Sequence, residues 1–531
     1  FFPVAQLGSS MAMPLFLLGF LFANNLGFLM DVGILFFVFA VLFQVIPLPV
    51  EYNASARAVE MLSANGLIAR EEESGVKAVL NAAALTYVAA PAKLPAARDV
   101  ALAALNSIEK EQAYSGLVLQ AEAKKHSLPP REEALVWRLV YGVTTYRLSL
   151  DYILNQFCRR EVSSLSLTLR NILRLACYQI VYLDRIPDFA AVNEAVNAAR
   201  KTAGKAMAGF VNGVLRNVIR NREVLFKNLD LDSAEGISLF YSHPRWLVER
   251  WVKTWGPEYT ARLCAANNEP APLTIRVNTM KISREDYLAA AAEKGLQPIR
   301  GKYHPHALVF PLETPFSLLP GYHKGWFTVQ GQASMLPAAL LDLEQGQQVL
   351  DMCSAPGGKA TQIAAAIAPG LVTAWDLHES RVRLVRAHAV RLGLHNLKVV
   401  QADATQMGGS GKFPRILLDA PCSGLGVLRK KPEIKWTRSQ KDIQSLAALQ
   451  LRMLQVGCEL LESGGILIYS TCTLTDEENQ GVIRSILEQR QDMKLVALDH
   501  PGLESKGGVI TTFPHLHGLD GFFIAKLKKV V

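Results

Sequence analysis

Hydrophobic and polar residues recur with different periods along the chain, and these periods divide it into four regions. The first region, residues 1–90, opens with two almost wholly apolar runs at 11–23 and 26–46. A membrane-spanning helix needs about 20 apolar residues, a length that the second run reaches and the first does not. We therefore predict a hydrophobic helical segment at 26–46 that inserts into a membrane, with a buried core helix as the alternative. Asp31 inside this run would be costly in lipid unless it faced protein or water.

The second region, residues 96–230, repeats apolar residues at helical spacing, as in ALVWRLVYGVTTYRLSLDYIL and LTLRNILRLACYQIVYL. About five such segments with short connections predict a compact all-α bundle. Its basic side chains are either solvated helix faces or an RNA-docking surface. These side chains are Arg147, Arg159, Arg160, Arg170, Arg174, Arg200, Lys201, Lys205, Arg216, Arg220 and Arg222.

The third region, residues 237–325, mixes the two periods and predicts a small α+β domain. A helix is expected over 237–256, followed by a strand, a helix and a strand over 273–312. The first of these helices carries three tryptophans. Their spacing is more typical of core packing than of base stacking, so we interpret Trp246, Trp251 and Trp255 as core residues.

The fourth region, residues 326–531, alternates short apolar strands with helices throughout. Strands are predicted at QQVLDM, LVTAWD, LKVVQAD, PRILLD and GILIYST, with a late strand at GFFIAKLKK. This alternation is typical of a doubly wound, Rossmann-like α/β sheet. In such sheets ligands bind beyond the carboxyl ends of the strands.

Composition indicates a folded, basic protein. Half of the residues are hydrophobic and 19% are charged, and the formal net charge of +9 favours a polyanionic partner. The seven cysteines include no C-x-x-C pair, which argues against a secreted disulfide framework. We expect residues 96–531 to be cytoplasmic and monomeric, with a membrane tether if residues 11–46 insert.

A candidate cofactor site lies at the predicted strand ends. Three strands end in an aspartate, and the first strand of the region leads into the glycine-bearing loop CSAPGGK before a helix. Glycines allow the backbone close to a ligand, and a carboxylate at a strand end can accept both hydroxyls of a ribose. The loop is not a P-loop, and three acids in register indicate a nucleoside-bearing cofactor. The candidate residues are Cys353, Ser354, Ala355, Pro356, Gly357, Gly358 and Lys359 in the loop, and Asp376, Asp403 and Asp419 at strand ends.

Two further cysteines, Cys422 and Cys472, follow the predicted strands RILLD and GILIYST. Two thiols over a small-ligand pocket suit an enzyme that adds a thiolate to an unreactive ring and later releases it. Inert burial is the usual state of a free cysteine. We assign that state to Cys158, Cys177, Cys264 and Cys458 in helical apolar faces, and a backbone contact to Cys353.

Four segments carry a family resemblance. DMCSAPGGK, LLDAPCSGLGVLRKKPEIKW, YSTCTLTDEEN and the terminal DGFFIAKL resemble the RNA cytosine-5 methyltransferases of the RsmB/Sun (Fmu) type. PDFAAVNEAVNAARK followed by GFVNGVLRN resembles the NusB-like RNA-binding domain that this group joins to its catalytic domain. The resemblance runs from about residue 96 to the last residue. It departs from the family at Gln332, where an acidic residue is usual, but this position is outside the catalytic motifs.

The resemblance implies S-adenosylmethionine as cofactor, bound by Cys353–Lys359, Asp376, Asp403 and Asp419, and 16S ribosomal RNA as substrate. It assigns Cys472 as the thiol that attacks carbon 6 of cytosine. Asp419 would relieve charge at N3, and Cys422 would remove the proton from carbon 5 or help to release the product, with water as the alternative base. The target base must be unpaired or flipped out of a duplex.

The first region resembles a different protein. PLPVEYNASARAVEMLSANGLI at 47–68 is similar to the tail of a membrane-bound neutral zinc metallopeptidase of the YugP type. Such an enzyme needs a His-Glu-x-x-His helix, because two imidazoles one turn apart can bind one zinc ion. The sequence contains no such motif. The resemblance therefore implies a remnant without its metal site, and no metal is expected.

Basic residues just after the Pro-Cys motif are expected to contact RNA phosphates near the site; they are Lys430, Lys431, Lys435 and Arg438. Other interpretations remain open. The same chemistry could act on transfer RNA or DNA, and the protein could be a non-catalytic RNA-binding or antitermination factor with a vestigial methyltransferase fold. The third alternative, a membrane protease, is disfavoured by the missing zinc motif.

Overall fold

The computed structural model describes most of the chain after residue 96. It covers 97–531 except residues 127, 313, 407–410 and 531, and six helical residues at 28–29, 31–32 and 34–35. Apart from these six residues, the hydrophobic segment predicted at 26–46 and the rest of residues 1–90 lie outside the described residues. Within the described ranges, no helix combines the length and the apolar character that crossing a bilayer requires.

The helical bundle predicted for the second region is present. Fully buried Leu139, Leu150 and Leu173 lie on different helices and meet in one apolar core. The longest helix changes direction at Gly204, where a φ of 87° leaves the helical range. The helices are α1 (Ala97–Glu111), α2 (Ser115–His126), α3 (Pro130–Thr145), α4 (Arg147–Asn155), α5 (Leu167–Tyr182) and α6 (Asp188–Arg220).

Part of the predicted basic surface is internal. Arg174 is 2% exposed and donates to Asp151 at 2.6 Å and to Glu109 at 2.9 Å. Arg170 joins the same network, 2.5 Å from Glu109. The predicted surface position is therefore wrong for Arg174, while Arg170 and Arg147 are only partly exposed, because acidic partners on α1 and α4 draw these side chains inward. The residues that do lie on the surface are Arg159, Arg160, Arg200, Lys201, Lys205, Arg216, Arg220 and Arg222.

The third region forms helices and a small antiparallel sheet. The helix predicted over 237–256 is two helices, because Ser242 takes a left-handed conformation and Pro244 begins a new helix. Trp251, 3% exposed, packs in an apolar cluster as the core interpretation predicted. The elements are α7 (Ala234–Tyr241), α8 (Arg245–Trp255), α9 (Pro257–Asn268), β1 (Thr274–Val277), α10 (Arg284–Ala292), β2 (Ile299–Arg300), β3 (Ala307–Val309) and β4 (Phe327–Val329), with sheet order β2-β3-β1-β4.

The fourth region forms the predicted doubly wound sheet. Its first half contains α11 (Gln332–Ala339), β5 (Gln348–Asp351), α12 (Gly358–Ile367), β6 (Leu371–Asp376), α13 (Glu379–Leu392), β7 (Leu397–Gln401) and β8 (Phe413–Asp419). Its second half contains α14 (Ile434–Thr437), α15 (Gln440–Leu460), β9 (Leu461–Thr471), α16 (Gln480–Gln489), β10 (Met493–Leu495), β11 (Ser505–Lys506), β12 (Val509–Thr512), α17 (Pro514–His517) and β13 (Phe522–Lys529).

The order of the strands determines where the site can form. Strands β9, β8, β5, β6 and β7 are neighbours in that order and run parallel. Strand β13 is antiparallel to β9 and continues the sheet through β12 and β11, while β10 pairs with β13. Because the carboxyl ends of parallel strands meet at one edge, Asp351, Asp376, Asp419 and Thr471 end at the same edge of the sheet.

The segment Pro432–Trp436 joins the catalytic domain to the other two. The Lys435 ammonium is 1% exposed and donates to Thr145 O at 3.3 Å, Ser242 O at 3.2 Å and Asn268 Oδ1 at 2.8 Å. The Trp436 indole donates to Thr144 O at 2.7 Å, and the Arg147 guanidinium lies 5.5 Å from its ring. The predicted phosphate contact of Lys435 is therefore wrong, since converging protein oxygens hold its ammonium inside the junction.

Candidate active site

The two predicted thiols meet at the carboxyl edge of the sheet. Strands β8 and β9 are paired so that Asp419 lies opposite Ser470, and each cysteine follows shortly after its strand. The Sγ atoms of Cys422 and Cys472 are 3.2 Å apart, and the Cys472 backbone N–H donates to Cys422 Sγ at 3.3 Å. Both cysteines are free and partly exposed. Two sulfurs that are 50 residues apart in the sequence are thus neighbours at the carboxyl edge of the sheet.

The proton on Cys422 is held tightly. Its hydrogen bond with Cys472 and its burial raise the pKa of the Cys422 thiol well above its ordinary value. At neutral pH Cys422 is therefore a thiol, which can donate a hydrogen bond to the neighbouring sulfur. Cys422 therefore keeps its proton, and its sulfur is in contact with the sulfur of Cys472.

Asp419 lies between the sheet and the cofactor loop. Its Oδ2 is 2.6 Å from the Lys359 ammonium, and its Oδ1 accepts from Ser470 Oγ at 2.8 Å. Lys359 Nζ also donates to Ser334 Oγ at 3.0 Å. This charge-assisted pair joins the loop after β5 to the ends of β8 and β9, the strands that lead to the two thiols.

The predicted loop Cys353–Lys359 curls over the end of β5 into α12. Ser354 donates from both its backbone N–H and its hydroxyl to Trp375 O, at 2.8 and 2.9 Å, which ties the loop to β6. Gly357 has a φ of 102°, in the left-handed region that favours glycine, and α12 begins at the next residue. Burial raises the pKa of the Cys353 thiol well above its ordinary value, which fits the predicted role as a backbone contact.

Asp376 and Asp403 differ in their surroundings. Asp376 is 5% exposed and accepts from the backbone amides of Ala355 and His378, both at 3.3 Å. Asp403 follows β7 and accepts from the Thr405 amide at 2.9 Å and the Thr405 hydroxyl at 2.7 Å, which lower the pKa of its carboxyl. Asp376 ends β6 and Asp403 lies just after the neighbouring β7, at the edge where a nucleoside would lie in this fold.

Asp351, the last residue of β5, is a site residue that the sequence reasoning missed. It is 1% exposed, and neither carboxylate oxygen has a hydrogen-bond partner in the described residues. Burial, reinforced by Asp419, raises its pKa to about 7; Lys359 and the facing Cys353 amide oppose this shift, although that amide makes no hydrogen bond of normal geometry. A buried carboxylate without a donor suits a cationic ligand group, such as a sulfonium or ammonium. The strand-end rule applied to Asp376 could have found it.

Arg276 is a second missed residue and lies under the loop. From β1, its Nη1 donates to Gly358 O at 2.7 Å and to Gln362 Oε1 at 3.1 Å, and its Nη2 donates to Thr361 Oγ1 at 3.0 Å. Burial lowers the pKa of this guanidinium to about 9. The small α+β domain thus holds the start of α12 in place. An arginine in a predicted strand gave no signal for this role.

The remaining basic residues after Cys422 make protein contacts. Lys430 Nζ is 2.6 Å from Asp520 Oδ2, and the Lys431 ammonium lies 5.3 Å from the Tyr114 ring centroid. Arg438 donates to Ser423 O at 3.1 Å. The Gln332 side chain, at the start of α11, accepts from the Tyr303 amide at 2.8 Å. Lys430 and Lys431 are exposed and Arg438 is partly exposed, so phosphate contacts of these three residues stay predictions.

Comparison with known proteins identifies the family. The chain is 36% identical over 447 residues to the "Probable ribosomal RNA small subunit methyltransferase B" of Bacillus subtilis (strain 168), covering 82% of this chain and 99% of the relative. The chain belongs to the RsmB/F family. The family model described as 16S rRNA methyltransferase RsmB/F matches residues 338–528. The RsmB/Sun resemblance seen in the sequence is thereby confirmed.

The other regions match further family models. The NusB family model matches residues 95–220, and the ferredoxin-like domain of RsmF/B-like methyltransferases matches residues 243–317. Residues 1–96 match a neutral zinc metallopeptidase family, as the sequence resemblance predicted. Within the part of the chain that the structure describes, no group of three or more His, Cys, Asp or Glu side chains could hold a metal ion.

Solved structures show the same architecture. The crystal structure named PH0851 superposes with a TM-score of 0.69 at 25% identity, covering 82% of this chain and 99% of that one. The structure of NSun6 from Pyrococcus horikoshii with SFG has a TM-score of 0.51 at 29% identity, covering 54% of this chain and 98% of that one. The cofactor of this RsmB/F chain is S-adenosylmethionine, as the family resemblance implied.

Proposed function

We propose that this protein transfers a methyl group from S-adenosylmethionine to carbon 5 of a cytidine in small-subunit ribosomal RNA, through a transient bond between Cys472 and carbon 6. The observation that carries the proposal is the pair of sulfurs 3.2 Å apart at the carboxyl edge of the sheet. Membership of an rRNA methyltransferase family supports the substrate class. One thiol of the pair supplies the nucleophile, and the other assists its departure.

The ring must first be made nucleophilic. Carbon 5 of cytosine is a poor nucleophile, so the Cys472 thiolate donates an electron pair to carbon 6 and the displaced ring electrons make carbon 5 enamine-like. Charge that develops at N3 is relieved by a proton shared between Lys359 and Asp419, whose polar atoms are 2.6 Å apart. Covalent catalysis of this kind divides one difficult step into easier ones.

The cofactor site is assigned to the strand-end residues. Bound there, S-adenosylmethionine supplies an electrophilic methyl group. Asp376 would hold the ribose hydroxyls, Asp403 would face the adenine edge, and the loop Cys353–Lys359 would hold the methionine part, with Ser354, Ala355, Pro356, Gly357 and Gly358 as its backbone wall. The unpartnered carboxylate of Asp351 fits the positive charge of that part. No other cation needs to enter to balance this buried acid.

Release restores the aromatic ring. A base removes the proton on carbon 5, the electron pair re-forms the bond between carbons 5 and 6, and Cys472 leaves as a thiolate. The raised pKa of Cys422 means that it starts as a thiol, so it must lose its proton before it can be the base. As a thiol it instead donates a hydrogen bond to the departing sulfur, while water removes the proton. Either role makes Cys422 necessary for product release.

The test is tritium transfer from labelled S-adenosylmethionine to 16S ribosomal RNA, with 5-methylcytidine identified after digestion. We expect Cys472→Ala to lose activity completely and Cys422→Ala to accumulate a covalent protein–RNA adduct, because its product cannot leave. Cys158→Ala, a partly exposed cysteine in the helical bundle, is the matched control and should behave as wild type. Near-normal activity of Cys472→Ala would overturn the covalent mechanism.

The same assay separates the remaining substrates. Transfer RNA and DNA are offered in place of ribosomal RNA at equal salt concentration, because binding to any polyanion depends strongly on salt. Preferential methylation of transfer RNA would move the substrate assignment to that class. Binding of ribosomal RNA without methyl transfer by the wild-type protein would support the non-catalytic alternative.

A further inference from the structure

Glu478 is a fully buried carboxylate in the loop between β9 and α16. It is 0% exposed, and its carboxylate accepts four hydrogen bonds. Oε1 accepts from the Ser423 backbone N–H at 2.7 Å and from Gln450 Nε2 at 3.0 Å. Oε2 accepts from the Ser423 hydroxyl at 2.5 Å and from the Thr475 hydroxyl at 2.7 Å. A buried charge is tolerated when hydrogen bonds satisfy all of its oxygens, as they do here.

These donors belong to the loops that carry the two thiols. Ser423 directly follows Cys422, and Thr475 lies three residues after Cys472. The two loops also meet directly, because the Ser423 hydroxyl lies 2.7 Å from the Thr473 hydroxyl and the Gly426 amide donates to Cys472 O at 2.9 Å. Glu478 therefore bridges residues next to both sulfurs.

Further hydrogen bonds hold the residues around Glu478 in place. Gln450, from α15, donates to Pro421 O at 2.9 Å as well as to Glu478. The Tyr469 hydroxyl donates to Glu478 O at 2.5 Å, and Asn479 donates to Thr473 O at 3.0 Å. Among the described residues no cation lies within salt-bridge distance of Glu478, so hydrogen bonds hold its carboxylate.

We propose that Glu478 is a positioning residue for methyl transfer: it sets the separation of the Cys422 and Cys472 sulfurs by tying the loops after β8 and β9 together. This inference rests on the proposed covalent function. The charge of Glu478 has a second effect, since it adds to the hydrogen bond and the burial that raise the pKa of Cys422. Glu478 thus acts on the thiol pair through Ser423, Thr475 and its own charge, without touching the substrate.

Glu478→Gln removes the negative charge and keeps groups that can hydrogen-bond to the same partners. The glutamine oxygen can still accept from the Ser423 amide and Gln450, and its new amide faces two hydroxyls that can turn to accept. We expect the variant to fold with an unfolding temperature close to wild type. Its kcat should fall on the order of 10- to 100-fold while KM for RNA stays within about twofold, because all four hydrogen bonds lose their charge assistance and the two hydroxyl bonds reverse, which loosens the alignment of the sulfurs without touching the RNA.

The second readout is the reactivity of each cysteine. Iodoacetamide labelling at a series of pH values, with each site quantified by mass spectrometry, gives the pH at which Cys422 becomes reactive. Loss of the Glu478 charge should move this midpoint to lower pH, which a purely structural brace would not do. The matched control is Glu477→Gln, since Glu477 points to Arg250, 2.6 Å away, and should leave kcat and labelling unchanged.

Thr475→Val keeps the test decisive if Glu478→Gln unfolds. It removes one hydrogen bond at nearly constant volume, and kcat should fall severalfold with KM unchanged. If Glu478→Gln folds, unchanged kcat together with unchanged labelling would overturn the proposal. If that variant is unfolded, the same result in Thr475→Val would overturn it. Cys472→Ala in the same assay tests the covalent function separately. If Cys472→Ala is inactive and Glu478→Gln is normal, only the role of Glu478 falls.

Discussion

At the scale of single residues, the site combines acids in opposite situations. Asp419 is paired with Lys359, whereas Asp351 is buried without a donor and has its pKa raised to about 7. An acid with a raised pKa in the folded state destabilises the fold as pH rises, because the unfolded chain loses its proton first. The same acid is available to a cationic ligand. Asp351 therefore lowers the stability of the protein without ligand and raises its affinity for a cationic ligand.

Asp351→Asn should change both the stability and the ligand affinity. Without ligand, the variant should be more stable than wild type by an amount that grows from pH about 4 to pH about 7 and then stays constant, on the order of 1–4 kcal/mol. Its affinity for S-adenosylmethionine should fall. Denaturant unfolding at several pH values and titration calorimetry measure the two effects. Exposed Asp184→Asn is the control, and identical pH dependence in Asp351→Asn and wild type would contradict the assignment.

The placements that the sequence predicted well are those at strand ends and just after them. Cys422, Cys472, Asp376 and Asp419 could be found because a strand pattern ends at a definite residue and parallel strands share an edge. Lys435 was misread, since its charge indicates a surface position and only the converging oxygens of three segments explain its burial. The role of Glu478 was also missed, because its partners lie at separated positions of the chain.

At the scale of elements, the connection from β5 to α12 depends on one backbone conformation. Gly357 has a φ of 102°, and a Cβ there would lie 3.2 Å from His388 Nδ1 and 3.4 Å from Val385. A side chain would therefore both strain the backbone and push the loop away from α13. The start of α12, which Arg276 holds from below, would move with it.

Gly357→Ala should lose about 1–2 kcal/mol of stability from the left-handed conformation. Gly464→Ala is a matched control, because Gly464 has a φ of 74° with open space around it at the opposite end of β9. Both variants should unfold at similarly lowered denaturant concentrations. Only Gly357→Ala should also weaken S-adenosylmethionine binding, on the order of tenfold. Equal affinities of the two variants by calorimetry would contradict a role for the loop conformation.

Longer elements were more predictable than short ones. The parallel strands and the helices of the bundle follow from runs of apolar residues long enough to show a period. Strands β10, β11 and β12 were not predicted, since β11 has two residues and the others three or four. The break between α7 and α8 could have been predicted from Pro244, because proline disfavours helix in the residue before it.

At the scale of the whole molecule, described residues 97–531 behave as one unit because side chains cross between domains. Glu433 accepts from the Ser115 hydroxyl at 3.0 Å and so adds α2 to the junction around Lys435 and Trp436. Burial lowers the pKa of Lys435 to about 7. The junction begins ten residues after Cys422, so the helical bundle and the thiol loop are mechanically connected.

Trp436→Ala should loosen this junction. It removes the hydrogen bond to Thr144 O and the ring beneath Arg147, a loss of about 2–3 kcal/mol for a partly buried tryptophan. We expect the single denaturant transition to separate into two, with the helical bundle unfolding first and S-adenosylmethionine binding retained. Trp436→Phe keeps a ring and should show a smaller effect. A single unshifted transition in Trp436→Ala would contradict the coupling.

The junction has a practical consequence for anyone who dissects this enzyme. A fragment cut near residue 326 would expose the Lys435 ammonium and the Trp436 indole to water, because the carbonyl oxygens that accept their hydrogen bonds would be lost with the other piece. Such a fragment would expose this apolar and charged surface ten residues after Cys422 and would tend to associate with other copies through it. Producing a minimal catalytic unit therefore calls for redesign of that surface, or for supplying the missing half as a separate chain.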